Sequence, residues 1–338
     1  MKYFQGKNGV FIIAEIGGNH EGNFEYAQKL TRLAAESGAD AVKFQIYSGD
    51  HLVNPLVDPE QNRHFKKFQL TKDQYIDLAK LCGQLGVTFM ASVWDIDALT
   101  YIDEFMPIYK IGSGDLTAYN IIKKIAQSGK PIILSTGLAN LEEVINTLSF
   151  IFSVNPTYQD EKKLALLQCT SMYPIPDEDA NLNVMLTLRQ RTGLPVGYSD
   201  HTVGTTAVET AVAMGAEIIE VHFTDNREGK TFRDHAISLA KEEVQMLVKK
   251  IQKIIKLQGS FDKTPTRSEM ESNHVASFRR GVYPGRDLKA GEILKEEDLV
   301  TLRPCTGVGA DFFFEIVGKK LLVEVRKGQI LSLEYFSE

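Results

Sequence analysis

In Ala41-Val42-Lys43-Phe44-Gln45-Ile46 apolar Val42, Phe44 and Ile46 alternate with Lys43 and Gln45, and in Glu220-Val221-His222-Phe223 Val221 and Phe223 alternate with Glu220 and His222. Successive side chains of a strand point to opposite faces, so each stretch offers one face to a helix layer and turns charge or imidazole to the other. Working outward from these two, short apolar runs recur between Phe11 and Gly259 and alternate with longer amphipathic segments. They predict strands over Phe11–Ile16, Ala41–Ile46, Thr88–Val93, Ile108–Ser113, Pro131–Thr136, Leu164–Cys169, Pro195–Asp200 and Glu217–Phe223. Helical periodicity predicts Phe24–Ser37, Lys72–Leu85, Tyr119–Gln127, Leu141–Ser153, Thr205–Met214 and Lys241–Gln258; in the last, Val244, Leu247, Val248, Ile251, Ile254 and Ile255 share one face. Eight strands alternating with helices over roughly 250 residues follow the plan of an α/β TIM barrel, whereas an open doubly wound sheet usually carries fewer strands.

After Gly259 the pattern stops. Residues 260–277 are polar and aperiodic and predict a linker, and residues 278–338, punctuated by glycines, predict a small β-rich domain near the lower size limit for folding alone. The 338 residues are 43% apolar and 24% charged, the composition of an ordinary globular protein. Lys and Arg total 38 against 44 for Asp and Glu, a net charge of −6 without a long basic run, which argues against a nucleic-acid partner. Cys82, Cys169 and Cys305 form no CxxC pair and read as free thiols of a reducing compartment. Met1-Lys2-Tyr3-Phe4-Gln5-Gly6 lacks the apolar core of a signal peptide, and no run approaches the ~18 apolar residues of a membrane span, so a cytoplasmic protein without a membrane partner is expected.

Barrel enzymes place their chemistry at the C-terminal ends of the strands. Those ends offer Glu15 with Asn19 and His20, Lys43 with Gln45, Ser92, Lys110 with Ser113 and Asp115, Ser135 with Thr136, Ser171 with Tyr173, Ser199 with Asp200 and His201, and Glu220 with His222. A scaffold would fill such positions with Val, Ile and Leu, so the pattern favours an enzyme. Lys43 and Lys110 in one barrel mouth repel unless an anion lies between them. With hydroxyls from Ser92, Ser113 and Ser135 they suit a small phosphate and carboxylate compound. The same lysines also fit a Schiff-base nucleophile or a structural pair with Glu15. No Walker-type or GxGxxG loop is present to ask for a nucleotide. His201 and His222 end neighbouring strands and can converge on a divalent metal or serve as hydrogen-bonded wall residues. Asp234 and His235 follow the last strand as further candidates. Trp94 stays unassigned, and His51, His64 and His274 have no comparable placement.

These motifs resemble the sialic acid synthase family of phosphoenolpyruvate-dependent enzymes. The matching runs are 14–22 (AEIGGNHEG), 42–45 (VKFQ), 109–114 (YKIGSG), 133–137 (ILSTG), 197–202 (GYSDHT) and 220–224 (EVHFT), in the family's order across the barrel. From Phe278-Arg279-Arg280 to Leu302-Arg303-Pro304 the chain resembles the antifreeze-like (SAF) domain of such synthases. The resemblance implies that Lys43, Ser92, Lys110, Ser113, Ser135 and Ser199 hold phosphoenolpyruvate and that His201 and His222 bind Mn²⁺ or Mg²⁺. It also implies that Glu15, Gln45, Tyr173 and Asp234 face an N-acylated amino sugar, with Ser171 beside them. The product would be a nine-carbon 2-keto acid of the sialic acid type, or its legionaminate, pseudaminate or spore-coat counterpart. Thr231-Phe232-Arg233 stands where the family carries Gly-Pro before the aspartate. The barrel's own loops are expected to offer no arginine as a lid. Arg303 matches the arginine that in the family reaches the sugar from the other subunit, which with the linker implies a domain-exchanged homodimer. A carbohydrate- or ice-binding protein is the rival from another class, and the pairs Lys43/Lys110 and His201/His222 argue against it.

Overall fold

The computed structural model describes residues 3–337; Met1 and Lys2, part of the stretch read above for a signal peptide, lie outside the described residues. Eight parallel strands close into a barrel in chain order: β1 (Phe11–Gly17), β2 (Ala41–Ile46), β3 (Thr88–Val93), β4 (Tyr109–Ile111), β5 (Ile132–Ser135), β6 (Leu164–Gln168), β7 (Val196–Asp200) and β8 (Ile218–His222). Closure pairs the last strand with the first, Glu15 standing opposite His222. Pro131 and Pro195 fall outside the strands they were expected to open, because proline has no N–H to give a ladder. The predicted fourth strand is shorter by its end, where Ser113–Asp115 forms a 3₁₀ turn. In the barrel, three further helices longer than one turn, Pro59–Phe68, Ile96–Ile102 and Val184–Thr192, escape the periodicity, as do the short turns Gly49–Leu52 and Thr157–Asp160. The first starts at an Asp58 cap, whose carboxylate accepts from the Gln61 N–H at 2.9 Å, with proline in its first position.

The interior is layered. One buried cluster includes Phe11, Ile13, Ala41, Met90, Ile108, Ile133, Ala165, Leu167 and Ile218. Two residues further along most of these strands, on the same inward face, stand Glu15, Lys43, Ser92, Lys110, Ser135 and Glu220, all buried. The outward-facing residues, among them Val42, Phe44 and Val221, join a second, larger cluster with the helices. The alternation in β2 and β8 is thus the division between site and helix layer.

The chain divides into two compact units, Met1–Gly259 and Ser260–Glu338. In the second, β9 (Gly281–Pro284) pairs antiparallel with β10 (Leu299–Leu302), and isolated bridges such as Leu288 with Val325 and Leu321 with Phe336 complete the backbone pairing. Val282, Leu288, Leu294, Val308, Ile316, Leu321 and Val325 form its core. Where the sequence predicts an irregular linker, Arg267–Glu271 and His274–Phe278 are single helical turns. A capping box between Thr266 and Glu269 starts the former without any apolar period. Arg303 is exposed, its guanidinium 5.5 Å from the Phe278 ring centre, and Asp298 pairs with Arg286 at 2.8 Å. All three cysteines are free, Cys82 and Cys169 buried.

Candidate active site

The polar layer forms the floor of a cavity of about 260 Å³ at the C-terminal ends of the strands. On the floor, Lys43 Nζ lies 2.8 Å from Glu15 Oε2 and 3.6 Å from Glu220 Oε2, and Lys110 Nζ lies 3.7 Å from Glu220 Oε1. Lys43 donates to Ser92 Oγ at 3.4 Å, Lys110 to Ser135 Oγ at 2.7 Å, and Ser199 Oγ to Glu220 Oε1 at 2.9 Å. Strand register brings these groups together, since Glu15 stands opposite Lys43, Ser92 opposite Lys110, and Ser199 opposite Glu220. Burial opposes charge on Glu220, but Lys110 and Lys43 outweigh it and hold the carboxyl down to about 2. Burial wins at Glu15, which is pushed up to about 7 against the pull of Lys43. The floor therefore holds one firmly ionised carboxylate and one that titrates near neutrality. Glu220, read in the sequence only as a strand-end group, is the link between both lysines.

Above β5 and β6, Ser113 accepts from the Gly137 N–H at 3.1 Å and touches Cys169 Sγ at 3.5 Å. A Cβ on Gly137 would come within 2.6 Å of Ser171 Oγ and 2.8 Å of Ser113 Oγ, so glycine leaves both hydroxyls their places at the wall.

At the neighbouring strand ends stand the imidazoles, His201 and His222, with ring centres 5.2 Å apart. Burial pushes them down to about 4 and about 3, so both are neutral near pH 7. His201 Nδ1 lies 2.6 Å from the Thr170 carbonyl, which can only accept, so the proton sits there and Nε2 keeps its lone pair. His222 Nδ1 is buried without a hydrogen-bond partner, 3.7 Å from Asp234 Oδ2. Two neutral nitrogens, one orphaned, with carboxylates nearby fit a divalent cation. Among the described residues, the set of three whose ligand atoms all lie within 4.8 Å of one another is elsewhere, at His51, Asp95 and Asp97 on the surface. His51 thus has a placement the sequence did not suggest, through a 2.9 Å contact with Asp95.

Tyr173 closes the rim, its ring centre 4.1 Å from that of His201. Gln45 Nε2 donates to Glu15 Oε1 at 3.2 Å. Asp234 does not line the floor cavity. It lines a neighbouring one of about 650 Å³ with Gln45, Tyr173, His64, Phe65, Trp94 and Phe232. Trp94, unassigned in the sequence, stacks on Tyr47 there, and His64, passed over, stacks on Phe232. Burial pushes the Asp234 carboxyl up, with Arg233 pulling the other way. Arg233, read in the sequence only as part of the Thr231-Phe232-Arg233 departure, lines both cavities. Its signal was adjacency to Asp234. Arg303 lies in the other unit.

A closed parallel barrel with ion-paired lysines, hydroxyls and neutral imidazoles gathered at its mouth is the arrangement of an enzyme. The chain belongs to the NeuB family, which matches residues 30–263, and carries a SAF domain over residues 279–335. It is 36% identical over 340 residues to the N,N'-diacetyllegionaminic acid synthase of Legionella pneumophila, covering 96% of this chain and 94% of that one. It is 30% identical to the N-acetylneuraminate-9-phosphate synthase of Homo sapiens, covering 98% and 94%. A crystal structure of the N-acetylneuraminic acid synthetase of Leptospira borgpetersenii, in complex with citrate, superposes with a TM-score of 0.73 at 33% identity, over 78% of this chain and 90% of that one.

Proposed function

We propose that the chain condenses phosphoenolpyruvate with an open-chain N-acylmannosamine-type sugar, giving a sialic acid-type nine-carbon 2-keto acid and phosphate. The observation that carries this reading is the pair of buried lysines, each on a serine hydroxyl, lining one small cavity with two neutral imidazoles. Lys43 and Lys110, with Ser92, Ser113, Ser135 and Ser199, hold the phosphate and carboxylate oxygens. The methylene carbon of phosphoenolpyruvate attacks the aldehyde carbon, whose π electrons move to oxygen. Water then adds at C2, and the C2–O bond breaks to release phosphate. Glu15, titrating near pH 7, holds or takes a proton beside the reacting carbons. Gln45, Ser171, Tyr173 and Asp234 orient the sugar. His201 and His222 would hold Mn²⁺ or Mg²⁺, which as a Lewis acid supplies polarisation of the aldehyde oxygen.

A diacetamido acceptor of the legionaminate branch is a second reading, favoured by 36% identity to that synthase against 30% to the 9-phosphate synthase. Phosphate release from phosphoenolpyruvate with a panel of N-acylated mannosamine and altrose derivatives tests both, and strict dependence on one such acceptor is expected. Release without any acceptor, or full activity in excess EDTA, would sink the mechanism. Borohydride with substrate should trap no lysine adduct. We assign the reaction to the cytoplasm, where phosphoenolpyruvate is made; no described helix is long and apolar enough to cross a membrane. Arg303 contacts the sugar in a domain-exchanged homodimer. Mixing Arg303→Ala with Lys110→Ala subunits should restore part of the activity that each lacks, and no recovery after demonstrated exchange would exclude action in trans.

A further inference from the structure

We propose that Arg233 is a further substrate-binding residue, whose guanidinium clamps the anionic groups of phosphoenolpyruvate at the mouth of the floor cavity. The inference rests on the reaction proposed above and follows from the charge on the floor. Lys43 and Lys110 are already set against Glu15 and Glu220, so with Glu15 ionised the four groups cancel. A compound carrying both a phosphate and a carboxylate therefore enters a pocket whose two lysines are shared with carboxylates, and a further cation on the lining would add to their hold. That cation is Arg233, which pairs with Asp234 through Nε alone.

Its geometry suits the task. The side chain is 71% exposed yet is held on two sides: the guanidinium carbon lies 4.7 Å from the Tyr173 ring centre, and Nε donates to Asp234 Oδ1 at 3.2 Å. Among the described residues neither Nη group is hydrogen-bonded to the chain, which leaves a planar pair of donors for a carboxylate or phosphate. The loop beneath is pinned as well. Glu21 accepts from Thr231 N, Thr231 Oγ1 and Phe232 N, each at 2.9 Å. The Phe232 ring lies so close to Gly18 that a Cβ there would come within 2.5 Å of it. If Arg233 served only to neutralise Asp234, nothing would require its Nη fork to stand free beside the cavity.

The test is calorimetric titration of phosphoenolpyruvate into wild type, Arg233→Ala and Arg233→Met, followed by steady-state kinetics of all three. Loss of a charge-assisted bidentate contact should weaken phosphoenolpyruvate about 10- to 100-fold in Kd and KM. The acceptor KM and kcat should change less than about threefold. Millimolar guanidinium should restore phosphoenolpyruvate affinity to Arg233→Ala and leave wild type unchanged, a response that repair of mere packing would not give. Unchanged phosphoenolpyruvate affinity, a rise confined to the acceptor KM, or no rescue by guanidinium would overturn the assignment. Failure of wild type itself to bind phosphoenolpyruvate would instead overturn the proposed reaction.

Discussion

The lower and upper halves of the barrel interior are built on the same strands and differ in what each residue depends on. Below, Ile13, Met90, Ile133 and Ile218 are held by dispersion and by exclusion of water, contributions spread over many neighbours. Two residues higher, Glu15, Lys43, Lys110 and Glu220 are as deeply buried, but each is tolerable only because a specific opposite charge stands within 4 Å. The lower layer stabilises the fold and does not line the cavity. The upper layer spends stability on a prearranged field, so removing one group there leaves another uncompensated.

The contrast is broken most severely by Lys110→Ala. It should remove detectable turnover and phosphoenolpyruvate binding while sparing sugar binding, and should cost about 3–5 kcal/mol because Glu220 loses a partner. Titration calorimetry and urea unfolding check it, and a fully stable variant would mean that Lys43 and Ser199 alone compensate Glu220. Met90→Ala probes the other layer: about 2–5 kcal/mol lost in unfolding, with kcat/KM within about twofold of wild type. A loss of activity in the folded variant would show that the layers are coupled.

The smallest effect is one of pH. Glu15 is neutral below about pH 7, where the floor carries two lysines against Glu220 alone, and ionised above it, where the charges cancel. Sulfate, which does not titrate in this range, should bind up to about tenfold more tightly at pH 6 than at pH 8. Glu15→Gln should flatten that dependence. His201 and His222, held at about 4 and about 3, do not contribute to it. Uniform sulfate affinity in the wild type would remove Glu15 from the titrating role.

The alternation in β2 and β8 made the barrel and its inward charges legible, because period 2 is a local property that a closed sheet preserves. Local pattern says which way Glu220 points but not that it sits between two lysines, since strand register depends on the whole closure. The helix at Pro59–Phe68 was missed because it buries little beyond Asn62 and Phe68; its readable marks were the Asp58-Pro59 start and the lysines at its end. Arg233 was hidden for a different reason. Its loop takes its shape from Glu21, some 210 residues earlier in the chain, and no window of sequence contains both.

That long reach is repeated across the seam of the barrel: Asn19 Nδ2 donates to the Phe223 carbonyl at 2.8 Å and to Ser238 Oγ at 2.9 Å, beside the Glu15–His222 pairing. A ribosome delivers the chain from its N-terminus, so Lys43, Ser92, Lys110 and Ser135 emerge well before Glu220. Until the eighth strand arrives, a nascent chain carries both lysines without the carboxylate that links them. The charge balance of the barrel mouth is thus among the last features that translation can complete, and a transcript cut short before the Glu220 codon encodes both lysines without the carboxylate that links them.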